Sequence, residues 1–367
     1  MAPAARQIGT AEGSRCKRLK KQHVGAALGI LAILAAVLFV VYRWRHSGFS
    51  WGKFATVFTD VNWGWLSLAL ALILATYVGR AMRWEIMLRP LSKQVRLWNL
   101  VVATLIGFTA VVLFGRAGEP VRPYLIARKE GVSFSSQVAA WLVERILDLL
   151  MVLLIFGIAL TQISRSGIQP GPQIRSALQA AGLLAGITGA LCLAVLLGLR
   201  HFRGSVRTRL MDALSFLPDL VHQRVARFLT AFEEGMQSTQ QKSYVWLLVT
   251  YTVIEWLVVA GSFFCVFRAF PATADLRITD VIIALGFVCF GSILQIPGVG
   301  GGMQIATVLV LTEFYGVSLE EASGIALVLW IITFVVVVPL GLGLAFHEGI
   351  KWRSLRHIEE SSSTYGL

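Results

Sequence analysis

Charge is what this chain has least of: 14% of its 367 residues are Asp, Glu, Lys or Arg, against about 25% in soluble domains. That scarcity excludes an ordinary solvated surface. Cysteine is sparse as well. Cys16, Cys192, Cys265 and Cys289 form no CxxC, three of them lie in apolar runs, and no His-x-x-x-His accompanies them, so neither a disulfide framework nor a metal site is predicted. The sequence has no nucleotide-binding motif and no Ser-His-Asp arrangement. No cofactor is implied, and any transport is expected to be passive or driven by an ion gradient or the membrane potential.

What the sequence has in abundance is apolar length. Hydrophobic residues make up 56% of the chain, and the mean hydropathy is +0.71. The runs Val24–Tyr42, Trp63–Val78, Ala177–Leu199, Tyr244–Phe267 and Ala322–Phe346 are transmembrane candidates, for which about 18–20 residues is the usual length. The net charge of +13 sits in short Lys/Arg blocks beside these runs, as in cytoplasmic loops, so nucleic acid is not an expected partner. Residues 1–23 resemble the start of a signal peptide. The apolar run behind them is long, however, and Arg43-Trp44-Arg45 follows it instead of a small-residue cleavage site, which predicts a retained first span.

Three further apolar segments are short. Asn99–Gly115 and Val281–Ile296 are borderline and Gln304–Thr312 is too short to cross; they border Arg116-Ala117-Gly118-Glu119-Pro120 and the stretch from Pro297 to Gly302. Short segments interrupted by Gly and Pro mark discontinuous or re-entrant helices. Charge counting decides between topologies. If every segment crosses, 15 Lys/Arg fall inside and 17 outside; if 99–128 and 281–314 are hairpins returning to their own side, 25 fall inside and 7 outside. The hairpin topology is therefore expected, most of its advantage coming from the first hairpin. Trp63 and Tyr244, Gly115 and Gly298, and Val138 and Ala322 lie 181 to 184 residues apart, so each half reads span, span, hairpin, span. Three crossings per half require the second half to enter from the opposite face, as in the inverted repeats of transporters.

The expected fold is thus an all-α polytopic membrane protein with about six full spans, two re-entrant helical hairpins and two inverted-topology repeats. Its expected parts are a basic cytoplasmic tail (1–23), a first membrane repeat (24–163), a second (177–346) and a cytoplasmic tail (347–367). The stretch 203–235 carries apolar residues at helical spacing with Arg207, Arg224 and Arg227 off that stripe, which predicts amphipathic interfacial helices linking the halves.

Ionisable residues at membrane depth are functional candidates by default. Arg116, Glu119 and Arg122 stand at the first hairpin turn, formed around Gly118 and Pro120, where Pro120 and Pro123 free backbone groups; two arginines there suit a phosphate head group. Glu144 and Asp148 share a helix face, and Arg145 and Asp148 are spaced to pair; an internal salt bridge accounts for these three as well as a site does. Glu255 lies alone in the middle of an apolar run and either carries a proton or pairs with an arginine of the first half. Gln295 and Gln304 flank the glycine run. The run itself (Pro297, Gly298, Gly300, Gly301, Gly302) lacks the Lys-Ser/Thr of a phosphate-binding loop and reads as a tight hairpin tip. Arg80, Arg83 and Trp84 have the composition of an interfacial anchor, with Arg80 placed to reach a head group by snorkelling.

Arg80-x-x-Arg83-Trp84, then Gly115-Arg116-Ala117-Gly118-Glu119-Pro120-x-Arg122-Pro123, then Glu144-Arg145-x-x-Asp148 and the Pro-Gly-rich hairpin resemble the lysylphosphatidylglycerol synthase/flippase transmembrane region over roughly residues 24–346. The chain as given carries about twenty residues past its last span, so the resemblance is to the membrane region without the soluble aminoacyl-transferase domain. Many members have an acidic residue after the glycine-rich turn, where Gln304 stands here. The resemblance implies a bacterial cytoplasmic-membrane protein that moves a phospholipid or a lipid-linked envelope precursor; the charge count puts both of its termini on the cytoplasmic side. Membrane lipids, with anionic or lipid-linked head groups, are the expected partners. A homo-oligomer or an envelope-biosynthesis partner is a further possibility. The alternatives are a non-transporting partner of a glycosyltransferase or envelope lipid pathway, and an intramembrane lipid-modifying enzyme using Glu119 or Glu144 as base; the protein is expected not to be an enzyme.

Overall fold

The computed structural model describes residues 49–89, 91, 95–165, 172–200, 242–292, 295–296 and 300–349, with a few positions between 223 and 230. The expected first span, the basic tail, most of 203–235, Pro297, Gly298 and the tail beyond 349 lie outside the described residues. Two units divide the chain between Lys53 and Phe54. In the first, the Phe49 and Trp51 rings meet edge-on, 5.3 Å apart.

The second unit is built from helices. The first half holds α1 (Trp63–Leu88), α2 (Leu97–Phe114), a 3₁₀ turn (Gly115–Gly118), α3 (Val121–Glu130) and α4 (Phe134–Arg165), followed by α5 (Pro172–Arg200). The second half holds α6 (Lys242–Ala269), α7 (Ile278–Gly291), a two-residue strand pair (β1, Gln295–Ile296; β2, Gly300–Gly301), α8 (Gly302–Tyr315), α9 (Leu319–Trp330), a π-helical turn (Ile331–Val335) and α10 (Val337–His347). By length and composition Trp63–Leu88, Leu97–Gly118, Phe134–Ile163, Tyr244–Ala269 and Leu319–His347 can each cross a bilayer, and Gln179–Ala194, Ile278–Gly291 and Gly302–Tyr315 are shorter apolar helices. The chain is a multi-pass, all-α membrane protein. In such a setting helices satisfy every backbone group internally, and local capping sets where they begin. Asn62 Oδ1 accepts from the backbone of Gly64 (3.1 Å) to open α1, and Ser318 Oγ accepts from Glu321 N (3.3 Å) to open α9.

Both stretches expected to be hairpins fold back on themselves. In the first, α3 returns along α2, and Asn99 Nδ2 at its entrance donates to Glu130 Oε1 at its exit (2.9 Å). In the second, α8 returns along α7, and the Tyr315 hydroxyl meets the Asp280 carbonyl at 3.3 Å. The first arm is longer than its borderline hydropathy suggested, because the 3₁₀ turn extends it to Gly118. The second tip needs glycine: Gly300 and Gly301 have φ of 91° and 124°, which side-chain-bearing residues rarely adopt.

The two halves interlock. α1 lies along α6 with Asn62 N donating to Ala269 O (2.9 Å) and Ser262 Oγ to Ala69 O (3.0 Å). The first arm of each hairpin packs on the last helix of the other half, α2 on α10 and α7 on α4. Small residues permit both crossings. Gly341 abuts Thr109 and the Leu105 carbonyl, and Gly286 abuts Ala159 and the Phe156 backbone. Exposed aromatics stand near helix ends, Trp63 at the start of α1, Trp98 and Trp246 near the starts of α2 and α6, and Phe346 near the end of α10, the positions that interfacial aromatics favour.

Candidate functional site

Arg80 and Arg83 are one turn apart near the end of α1, so their side chains leave the same face. That face meets α4 and α6, and the meeting creates a cluster of charges. Arg83 is fully buried and lies at its centre. Its guanidinium grips Asp148 with two parallel bonds, Nη1 to Oδ1 at 2.7 Å and Nη2 to Oδ2 at 3.1 Å, and donates to Thr252 Oγ1 at 3.1 Å. It also lies 3.2 Å from Glu144 Oε1 and 3.4 Å from Glu255 Oε2.

Around this centre the other arginines each take a carboxylate. Arg122 Nη1 donates to Glu144 Oε1 (2.8 Å), its Nη2 donates to the Arg80 carbonyl (3.0 Å), and its guanidinium stacks 4.1 Å from the Trp84 ring. Trp84 is itself fixed by Nε1 donating to Gln137 Oε1 (2.8 Å). Arg145, which is partly exposed, reaches Glu144 at 3.2 Å. Arg80 pairs with Glu255 at 2.7 Å and lies over Phe108 at 4.8 Å. Four arginines and three carboxylates thus meet at the junction of α1, α3, α4 and α6, and the second half contributes Glu255 and Thr252. Isolated, each charge would be prohibitively costly there; pairing offsets that cost, and Glu255 is held by its ion pairs with Arg80 and Arg83 alone, neither of its oxygens accepting a hydrogen bond.

Arg80 also borders a cavity of about 150 Å³ between the halves, walled by α1, α2, α6, α7, the second hairpin and the π turn. A π turn inside a helix is frequently found at functional positions. Here it leaves the Thr333 carbonyl to accept from the Tyr77 hydroxyl at 3.3 Å.

The cluster gathers Arg80, Arg83, Arg122, Glu144, Arg145, Asp148 and Glu255 from the sequence candidates. Arg116 lies exposed at the hairpin turn and Glu119 half-buried beside it, whereas Arg122 turns inward from the first turn of α3. Gln304 Oε1 accepts from Gly301 N (2.7 Å), Gln295 pairs with Gly301 across the strand pair, and Gly302 opens α8. Gly118 packs on the Ala110 backbone, and Pro120 precedes α3. Two features differ from the sequence reading: Asp148 pairs with Arg83 rather than Arg145, and Arg83 and Trp84 are buried rather than anchored at an interface. Of the two alternatives open for Glu255, the structure has it meeting arginines of the first half, Arg80 and Arg83. Thr252 and Gln137, which hold Arg83 and Trp84, are not among the sequence candidates, although Thr252, a turn before Glu255 in an apolar run, carries a readable signal. Among the described residues no group of three or more His, Cys, Asp and Glu is placed to hold a metal ion.

No curated protein and no solved structure showed significant similarity to the chain. The family described as the lysylphosphatidylglycerol synthase transmembrane region, however, matches residues 26–341, a stretch that contains every charge of the cluster and both hairpins. The chain belongs to the lysylphosphatidylglycerol synthase transmembrane-region family, whose members work in the biology of membrane lipids.

Proposed function

We propose that this protein is a lipid flippase, moving a phospholipid or lipid-linked envelope precursor across the bacterial cytoplasmic membrane. The observation that carries the reading is the buried charge cluster, shared by both halves and opening through Arg80 onto the cavity between them. A rigid structural core has no need of four arginines at this depth, whereas a polar head group crossing hydrocarbon needs a polar surface to replace its water. In this reading the two hairpins are re-entrant and the halves are inverted repeats. Packing supports this: exchanging α1 with α6, α2 with α7, α3 with α8, and α4 with α9–α10 turns the α2–α10 contact into the α7–α4 contact. Both termini are cytoplasmic, and the chain moves lipid without altering it.

The experiment is lipid translocation in proteoliposomes with fluorescent phospholipids and a membrane-impermeant quencher. Movement above protein-free liposomes is expected, and Glu255→Gln is expected to cut the rate about tenfold or more, since it releases Arg80 from its only carboxylate partner in the cluster. No movement with any of several head groups, in protein that is folded and correctly inserted, would sink the reading. Topology has its own check. A cysteine at Ser133, which is exposed, is expected to react with an impermeant thiol reagent only from the cytoplasm; Ser136, three residues on, is buried and unsuited to labelling.

A further inference from the structure

The last span of the second half changes partners partway along. α9 packs on α8, the returning arm of the second hairpin, whereas α10 packs on α2, the first arm of the other hairpin. The α10 contact is close: Thr109 Oγ1 donates to the Val337 carbonyl at 3.0 Å, one turn before Gly341. Between the two segments stands the π turn Ile331–Val335, closed by Val336 N donating to Ile331 O at 3.0 Å. α4, which follows the first hairpin as α9 follows the second, runs unbroken from Phe134 to Arg165. The interruption thus belongs to the second half, and π turns are among the places where helices bend.

Two observations at the turn point to a second arrangement of it. The first is an unmet group. Thr333 Oγ1 is buried without a hydrogen-bond partner, which is costly and calls for an explanation. Elsewhere in these helices a threonine hydroxyl returns to the carbonyl four residues back, as Thr104, Thr252 and Thr307 do. For Thr333 that carbonyl is Leu329 O, and regular helix across the turn would bring it within reach. The second observation is the bond that holds the present arrangement. The Tyr77 hydroxyl reaches the Thr333 carbonyl at 3.3 Å, longer than the roughly 2.5–3.0 Å usual for a hydroxyl donor, so it releases easily. Tyr77, Arg80, Thr333 and Phe334 all line the cavity between the halves, so bending at the turn moves one wall of it relative to Arg80.

We propose that the π turn is a joint on which the cavity changes shape, latched in the present arrangement by the Tyr77 hydroxyl on the Thr333 carbonyl. In the other arrangement the turn relaxes into regular helix and Thr333 Oγ1 donates to Leu329 O. α9 then tilts with the second hairpin, while α10 stays on the first. The inference rests on the flippase reading only for what the motion serves, a cavity whose wall must move for a head group to pass.

The test is pulsed EPR spectroscopy of the full chain in lipid nanodiscs, with its four native cysteines replaced by alanine. Spin labels go on Ile305→Cys in α8 and Leu340→Cys in α10, both exposed positions. Two populated distances are expected, one of them that of the arrangement described. Tyr77→Phe keeps the ring against Phe108 and removes the latch, so it should raise the share of the second distance over the first about threefold. Thr333→Val removes the hydroxyl that only the second arrangement satisfies and should lower the same ratio about fivefold. A turn with a merely structural role would not answer these two substitutions with opposite signs. Labels on Arg128→Cys in α3 and Ile158→Cys in the unbroken α4, both exposed, should give one distance. A single Ile305–Leu340 distance in the parent and both variants would overturn the proposal, as would a ratio that the two substitutions leave unmoved or shift the same way. Opposite shifts in a protein that moves no lipid would leave the joint standing and remove the flippase reading.

Discussion

Arg83→Ala is expected to cost this protein about 3–5 kcal/mol of stability, the penalty typical of removing one partner from a buried ion pair. The three carboxylates around Arg83 are not equally exposed to its loss. Glu144 keeps Arg122 and Arg145, and Glu255 keeps Arg80, but within the cluster Asp148 is held by Arg83 alone. Most of the damage should therefore be the uncompensated charge of Asp148, and Asp148→Asn in the Arg83→Ala background should restore part of it. Thermal unfolding of both variants and of Asp148→Asn alone closes a double-mutant cycle; coupled neighbours of this kind give about 0.5–3 kcal/mol. An Arg83→Ala protein that melts with the wild type would mean that the cluster contributes nothing to holding α1, α4 and α6 together. Arg83→Lys is not a conservative control, because an ammonium cannot reproduce the two parallel bonds to Asp148.

Gly118→Ala is expected to be nearly as harmful, about 3 kcal/mol, at the upper end of what overpacking usually costs. A Cβ at Gly118 would collide with the carbonyl carbon and oxygen of Ala110 and come within 2.6 Å of Val111 N. All of these are backbone atoms of α2, so no side chain can move aside, and the first hairpin must open at its turn. Opening the turn also displaces Arg122, whose Cα and Cβ lie against Gly107 on the same arm. Gly157→Ala is the control: that position on α4 has nothing within 4 Å of a new Cβ, so the helix should gain slightly from the better helix former. Loss of stability in both variants alike would mean that steric closure of the hairpin is not what Gly118 provides.

The hairpins were readable because charge distribution and Gly/Pro placement act locally. Arg116, Arg122, Arg128 and Lys129 follow the first arm in close succession, and that local bias is what made a fold-back there the expected topology. The charge cluster was readable only in its membership. Glu144 and Asp148 announced themselves as acids in an apolar run, but their partner Arg83 lies more than sixty residues away, and no local pattern distinguishes a buried arginine from a snorkelling one. Arg116 and Arg122 show the same limit over a short stretch of chain. Six residues apart, one is exposed and the other buried, because α3 begins at Val121 and turns Arg122 toward α1 and Trp84. The π turn at Ile331–Val335 left no mark in the apolar sequence, and with it the unpaired hydroxyl of Thr333 was invisible.

The crossed packing of the hairpin arms has a consequence for how the chain is made. When the first half leaves the ribosome, α2 has no α10 to lie against and α4 has no α7, since both are translated later. The amino-terminal half therefore waits in the bilayer with unfilled helix faces and with Arg80 lacking Glu255. Domains usually complete themselves in order of synthesis; this one can finish its first half only after its last helix has arrived. Expressed as separate pieces, neither half should fold alone, but the two co-expressed should find each other and restore the interlocked pair.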